Sequence, residues 1–486
     1  MYSPVGLNMY EGMGLQGFGT STMQQVQDLR KALTAGTQNP PTSGGSALRV
    51  ESLEESLKVL TYTDRHLKLW PKIFKSPAYS TVEEYNQLEK YGNDDYGAFL
   101  REGELPVGND STYVRKTQLI KFMGTTREIT HPATLVHPAH GDLIALENQN
   151  GILWLLRQVE KFLFTGDSSL AASGEGEQWD GLDKLIDTNS KIDLEGAPTQ
   201  EGDYEEITNL LAENFAFPTD CFLGFRPMSD LVKTMYPRHR VSLPADPSGR
   251  IGQSINSITT QAGQLAFQPN VFITRPNTAS SSSRGPSSML PDTPVLTLGA
   301  AAGTAGQFDK SQGADDAKYA YRVSASNRFG ESACTAGVLS GALTGANAAL
   351  GQGFPVTVTN PGAITNPPEF INIYRTLALP SSTAAAPTAD ASYSLIERVK
   401  VDSQAAGAVA VNARKDNNIT MPFTETAYVG ELSPQVITFR QLAPLMKIDL
   451  AVLAPSYRWM VMLYGALLLF APKKWARLTN IGRLGA

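Results

Sequence analysis

The sequence predicts an α+β fold interrupted by an all-β sandwich. Three stretches carry that reading. Residues 142–166, DLIALENQNGILWLLRQVEKFLFTG, place Ile152, Leu156, Val159 and Leu163 on one stripe of a long helix. Helix, strand and helix patterns then follow in close order over 203–235, as in a layered α+β unit. A Ser/Gly/Pro-rich break at 278–291, TASSSSRGPSSMLP, precedes a chain of different texture, rich in Ala, Gly, Thr and Ser, with alternating runs at roughly ten-residue spacing.

The whole chain sets the bounds. Its 486 residues predict about two to four domains. Charged residues make up 18% and hydrophobic residues 42%, an ordinary folded composition. The net charge of −6 excludes a general basic field for gripping nucleic acid. Two cysteines, Cys221 and Cys334, form no disulfide framework. No charged start followed by an apolar run is present, so no secretory signal is expected. The longest apolar run, Met460–Ala471, is too short to span a bilayer as a helix and reads as buried strands around Tyr464-Gly465.

Taken in order, residues 1–47 have no period and read as an arm that orders on a neighbour or not at all. Ser52 with Glu55 resembles a capping box ahead of a short amphipathic helix on Leu53, Leu57 and Leu60, and Trp70-Pro71 ends that segment. Residues 75–130 change character. Two alternating runs, around Ala98–Leu105 and Thr112–Met123, flank Pro106–Asp110, and neither face of the second is cleanly apolar. Such a hairpin is no core hairpin, and it reads as lying across a partner subunit. In the long helix, Asp142 suits the N-cap and Gly166 a left-handed stop.

Beyond it, Leu182–Ile186 begins a new element and Asp203–Phe215 is a helix. Asp220–Phe225 is a buried strand, Pro227–Met235 a helix opened by proline, and Gln264–Thr274, with NVFITR, a further strand. Residues 278–291 read as a linker. In the insert the clearest strands are YAYRVSASN (319–327), FINIYRT (370–376) and YSLIERVKV (393–401). The chain then resumes with strands at Gln435–Arg440, Leu445–Leu453, Trp459–Phe470 and Ala476–Ile481. A sandwich whose ends meet can be inserted in a host without breaking it, so the host is 131–285 joined to 425–486.

YAYRVSASNRFGES and INIYRT resemble strands of fibronectin type III modules. The host, in layout and in its closing string LYGALLLFAPKKWARLTNIG, resembles the tailed-phage major capsid proteins of the HK97 fold. That resemblance implies an N-terminal arm (1–74), an extended-loop hairpin (75–130), a peripheral domain (131–199 and 440–486) with spine helix 142–166, and an axial domain (200–285 and 425–439). An immunoglobulin/fibronectin-like insertion (286–424) completes it. It implies pentamers and hexamers closing into an icosahedral shell around a phage dsDNA genome, with the chain itself as main partner. Portal and scaffold or cement proteins are further partners, the DNA lies non-specifically on the inner face, and no membrane is involved. The protein would assemble in the host bacterial cytoplasm and reside in the virion. Inter-subunit contacts then fall to Arg101, Glu102, Glu104, Arg115, Lys116 and Lys121 on the hairpin, where opposite charges set register more than affinity.

Catalytic chemistry is not legible. His137, His140, Asp142 and His131 are the one metal-like cluster, and their Pro-rich spacing does not place them on one helix face. Gly249–Gly252 and Gly174–Gly176 lack the context of a phosphate loop. No nucleophile elbow, Cys-His pairing or nucleotide fingerprint appears, so neither enzyme activity nor a cofactor or metal is expected. The competing readings are a fibronectin-like adhesin on an α+β base, which needs exposed aromatics on the sandwich, and a hydrolase with an appended sandwich.

Overall fold

The computed structural model describes residues 61–92, 99–105, 108–136, 142–170, 178–235, 255–273, 278–286, 288–304, 306–308, 317–344, 346–347, 350–452 and 454–484. Residues 61–136 and 144–486 form one compact unit, which holds the sheets of the described residues. The expected helix on Leu53, Leu57 and Leu60 lies outside the described residues, as do His137, His140 and both glycine loops.

In chain order the host opens with β1 (Phe74–Pro77), β2 (Val82–Lys90), β3 (Thr112–Leu119), β4 (Lys121–Thr130) and the long helix α1 (Leu143–Thr165). Then come β5 (Lys191–Asp193), α2 (Glu201–Glu213), β6 (Asp220–Leu223), α3 (Phe225–Met235), β7 (Ser257–Thr260) and β8 (Gly263–Pro269). The insert holds β9 (Val295–Leu298), β10 (Ala320–Asn327), β11 (Gly330–Glu331), β12 (Val338–Leu339), β13 (Phe354–Thr359), β14 (Phe370–Arg375), β15 (Ser394–Lys400) and β16 (Val409–Asp416). The host resumes with β17 (Glu425–Gly430), β18 (Ile437–Asp449), β19 (Ser456–Leu469) and β20 (Trp475–Ile481).

Two host sheets result. One has the order β1-β18-β19-β4, with β1 parallel to β18, and the other β5-β20-β17-β6-β8-β7. The helix α1 serves both. Near its start, Arg127 of β4 and Val461 of β19 come within 3.4 Å of where a Gly151 side chain would begin. Near its end, the Phe164 ring lies 5.7 Å from Phe222 and 5.3 Å from Tyr428 of the six-stranded sheet. The helices α2 and α3 cover that sheet, packing Tyr204, Ile207, Leu211 and Leu231 on Cys221, Leu223, Val429 and Leu478. At the start of α2, Asp203 accepts the Gln200 N–H at 2.7 Å, closing its first turn.

The helix buries Val159 and Leu163 of the expected stripe, but not Ile152 and Leu156. Gly151, Leu155, Val159 and Leu163 are buried with Phe164, while Ile152 and Leu156 are half-buried. The spacing is i, i+4, i+8, rotated slightly because Gly151 rather than Ile152 meets the sheet. Gly166 is no left-handed stop. It is glycine because a Cβ there would collide with the Trp179 carbonyl and lie 2.7 Å from that of Phe162.

Other expectations are corrected by the pairing. The partner of β3 is β2, not Ala98–Leu105. In the observed pairing Tyr85 and Gln87 pack on the body, while Gly103 at φ +87 and an Arg101–Glu104 turn interrupt Ala98–Leu105. The run Thr112–Met123 is two strands in two sheets, divided at buried Ile120. The stretches 435–440 and 445–453 form one strand, β18, whose register slips between Gln441 and Met446, around Pro444, which has no N–H to give. Trp459–Leu469 is part of one continuous strand, β19, with Gly465 admitting the Phe439 ring. The strand expected over 264–274 is β8, which ends at Pro269, and residues 271–273 of NVFITR form a turn. Residues 440–486 are divided between the two sheets, because Trp475–Ile481 pairs with β17 rather than with β19.

The insert is two sheets, β11-β10-β14-β15 with β12 also on β10, and β16-β13-β9. Leu296, Val356, Val358 and Ala410 from one meet Tyr321, Val323, Ile371 and Ile373 from the other in a core of their own. Stretch 278–286, expected as linker, is a strap across the larger sheet. Thr278 bridges Ser394, Arg284 bridges Glu331, and Ser281 donates its N–H and hydroxyl to Asp390. Strap atoms thus satisfy polar groups that a free linker would leave to water.

Candidate assembly surface

The ribbon of β2 and β3 leaves the body as a sheet of only two strands. At about 3.3 Å per residue it reaches roughly 30 Å. Its root is anchored by Ile120, which packs with Ala78, Ala466 and Leu468. One face leans on the body. The Tyr85 hydroxyl donates to the Leu469 carbonyl at 3.4 Å, Gln87 Nε2 donates to that of Phe470 at 2.5 Å, and the Tyr85 and Phe470 rings meet edge to face at 5.0 Å. Burial there pushes the Tyr85 hydroxyl pKa up.

The other face turns outward. Val82, Leu88, Tyr113 and Leu119 are exposed on it, beside an ion pair between Arg115 and Glu84. At the tip, Phe99 is 99% and Leu105 88% exposed, with Tyr91 beside them in exposure. A strip of large apolar side chains on an arm is the pattern of a surface that a partner covers.

Of the six residues expected to make inter-subunit contacts, Arg101, Glu102 and Glu104 lie exposed on the tip, where Arg101 N–H donates to the Glu104 carboxylate at 3.1 Å. Arg115 and Lys116 are exposed on β3. Lys121 is separate from them. It is 8% exposed at the root, opposite Gly465 in the four-stranded sheet, so it is not on the arm surface.

A functional group that periodicity did not reveal is Glu160. Fully buried on α1, its carboxylate accepts N–H bonds from Lys68 at 3.0 Å, Leu69 at 2.7 Å and Trp70 at 2.8 Å, and Asn270 Nδ2 at 2.7 Å. It pins the segment leading into β1 to the helix. The one sequence signal was an acid four residues before Phe164 on the apolar face. Among the described residues no group of His, Cys, Asp and Glu could hold a metal, His131 is exposed, and burial pushes the Cys221 thiol pKa far up, away from nucleophilic use. No described helix is long and apolar enough to cross a membrane.

No family model matches the chain. Over 466 residues it is 29% identical to the major capsid protein of Staphylococcus phage K, with 94% of this chain and 96% of that protein covered. The figures for the major capsid protein of Staphylococcus phage S25-3 are the same. A putative major capsid protein of Enterococcus phage phiEF24C is 26% identical over 466 residues, covering 94% of this chain and 95% of that one. Among solved structures the chain is similar to that of Microbacterium phage Oxtober96 (TM-score 0.44, 7% identity, 89% and 96% covered). It is also similar to the capsid of cyanophage P-SCSP1u (TM-score 0.43, 8% identity, 91% and 96% covered).

Proposed function

We propose that this chain is a phage major capsid protein, which self-assembles as pentamers and hexamers into an icosahedral shell around a dsDNA genome. The observation that carries the reading is the similarity to phage major capsid proteins along 94% of the chain. The projecting ribbon supports it, since an arm with an exposed apolar strip is what a shell subunit needs and an adhesin does not. In the sandwich, Phe329 is the one large exposed aromatic among the described residues, which gives little for an adhesin to use.

In this reading the fold is HK97-like. The four-stranded sheet with α1 is the peripheral domain, the six-stranded sheet with α2 and α3 the axial domain, and β2–β3 the extended loop. The sandwich is an immunoglobulin/fibronectin type III-like decoration. The protein is structural rather than enzymatic and resides in the virion. Its ribbon lies on a neighbouring subunit, with Arg101, Glu102, Glu104, Arg115 and Lys116 setting register. Head-to-tail contacts of this kind close into rings when the rotation permits. Portal, scaffold and DNA contacts belong to the same reading. The test is electron microscopy of the purified full-length chain at rising concentration: pentamers, hexamers or closed shells are expected, and a persistent monomer with assembly partners supplied overturns it.

A further inference from the structure

The turn after α2 breaks a local rule. Ala216 N–H bonds to the Leu211 carbonyl at 3.0 Å and Phe215 N–H to that of Ala212 at 2.9 Å, the two bonds of a Schellman stop. The residue between helix and exit must then take a left-handed conformation, which glycine normally supplies. Here it is Phe215, at φ +60 and 85% exposed. Phe217, two residues on, is 72% exposed. Neither ring contributes to the core, so packing within the chain does not explain a bulky aromatic at a strained position.

The platform beneath is fixed. Glu431 accepts the Phe217 N–H at 3.3 Å and a Lys474 Nζ bond at 3.2 Å. Thr219 Oγ1 accepts the Leu432 N–H at 3.1 Å, and Asp220 pairs with Lys72 at 2.5 Å. The two rings therefore stand on a braced loop rather than a soft one. Backbone strain held by surrounding structure is a sign of use.

We infer that Phe215 and Phe217 form the seat for the ribbon tip of a second copy of this chain. This rests on the capsid reading and names the surface that receives the arm. Two observations select the occupant. The tip offers what the seat lacks, Phe99 and Leu105 nearly fully exposed, so it is not packed on its own body. The flanking charges also match. Exposed Glu213 precedes the seat and exposed Lys473 adjoins Lys474, while the tip carries Arg101 and Glu102. Aromatic anchors rimmed by opposite charges are the arrangement of an interface centre.

The test uses Phe215→Gly in the full-length chain. Glycine relieves the left-handed strain, so the thermal midpoint is expected to hold or rise. Loss of the ring is expected to raise the concentration required for assembly by about tenfold or more. A structural role alone predicts no such opposition of stability and assembly. Phe99→Ser with Leu105→Ser is expected to reproduce the assembly defect from the other side. In assembled material, Phe99→Cys with Phe217→Cys is expected to give inter-chain crosslinks. Shells forming normally from Phe215→Gly, or crosslinks absent from assembled shells, overturn the docking and leave the capsid reading intact. Failure of the unaltered chain to form shells removes the capsid reading, and the docking with it.

Discussion

Replacing Glu160 tests whether one buried carboxylate holds the entering chain to the long helix. Glu160→Ala removes the acceptor of three successive peptide N–H groups, those of Lys68, Leu69 and Trp70, and of the Asn270 amide. Hydrogen bonds to a charged group contribute about 1.5–3 kcal/mol each, and a stranded buried donor costs about 1–3 kcal/mol. Leu69 N–H is buried and takes the full penalty, whereas those of Lys68 and Trp70 are part-buried and recover some hydration once the segment lifts. The net effect is then about 4–6 kcal/mol of lost protection at 68–70. Glu160→Gln keeps shape and one acceptor oxygen but turns a donor toward the Trp70 N–H, so about half that loss is expected. Hydrogen exchange of the 67–77 amides in the full-length chain reads the effect directly. If Glu160→Ala changes exchange at 68–70 by less than about 1 kcal/mol, the pinning role is wrong.

Three further outcomes follow from buried charge and from separate cores. Glu425 is 7% exposed, and burial raises its carboxyl pKa, opposed by Arg226 and Arg483 and reinforced by Asp230. A folded pKa above the unfolded value means that its stabilising contribution is present below the unfolded pKa and is lost as pH rises through the folded one. Glu425→Gln is therefore expected to raise the thermal midpoint at pH 7, with the gain shrinking as pH falls toward about 4.3. Arg375 and Asp416, both buried, pair at 2.6 Å with Tyr321 donating to the same carboxylate. Arg375→Ala should cost about 3–5 kcal/mol in chemical denaturation by stranding Asp416, and adding Asp416→Ala should recover part of it. Replacing 279–418 with a short link should leave a host that unfolds cooperatively in calorimetry, because the core of Leu296, Val323, Val356 and Ile371 holds no host residue. A host unable to fold without the insert would contradict that independence.

Much of the architecture could be read because period and composition report burial directly. The long helix, the helix–strand–helix run and the alternating strands of the insert sit within a few residues of where patterning puts them. What could not be read depends on partners distant in sequence. Nothing local to Val82–Lys90 tells that it pairs with β3, since the choice is made by Leu469 and Phe470, close to 400 residues away. The strap at 278–286 has linker composition, and it is ordered by Asp390 and Glu331. Lys121 looked like an arm residue because the strand changes sheet at Ile120 without any turn signal. Glu160 was hidden in a stripe scored for apolar side chains, although an acid on that face is itself evidence of a polar demand from elsewhere.

The ribbon ties folding to assembly. Two strands without a third or a covering layer are marginal in water. The body supports the inner half through Tyr85, Gln87 and Ile120, whereas in the outer half Ser111 Oγ donates to the Tyr91 carbonyl at 3.2 Å, a bond within the arm. Apolar burial is worth roughly 25 cal/mol per Å2, so covering Leu88, Tyr113, Phe99 and Leu105 supplies stabilisation that the isolated chain lacks. Order in the outer half should thus be gained on docking, with the entropy of ordering set against the contacts made. In the capsid reading, the body is self-contained and the arm is left for a second copy to complete.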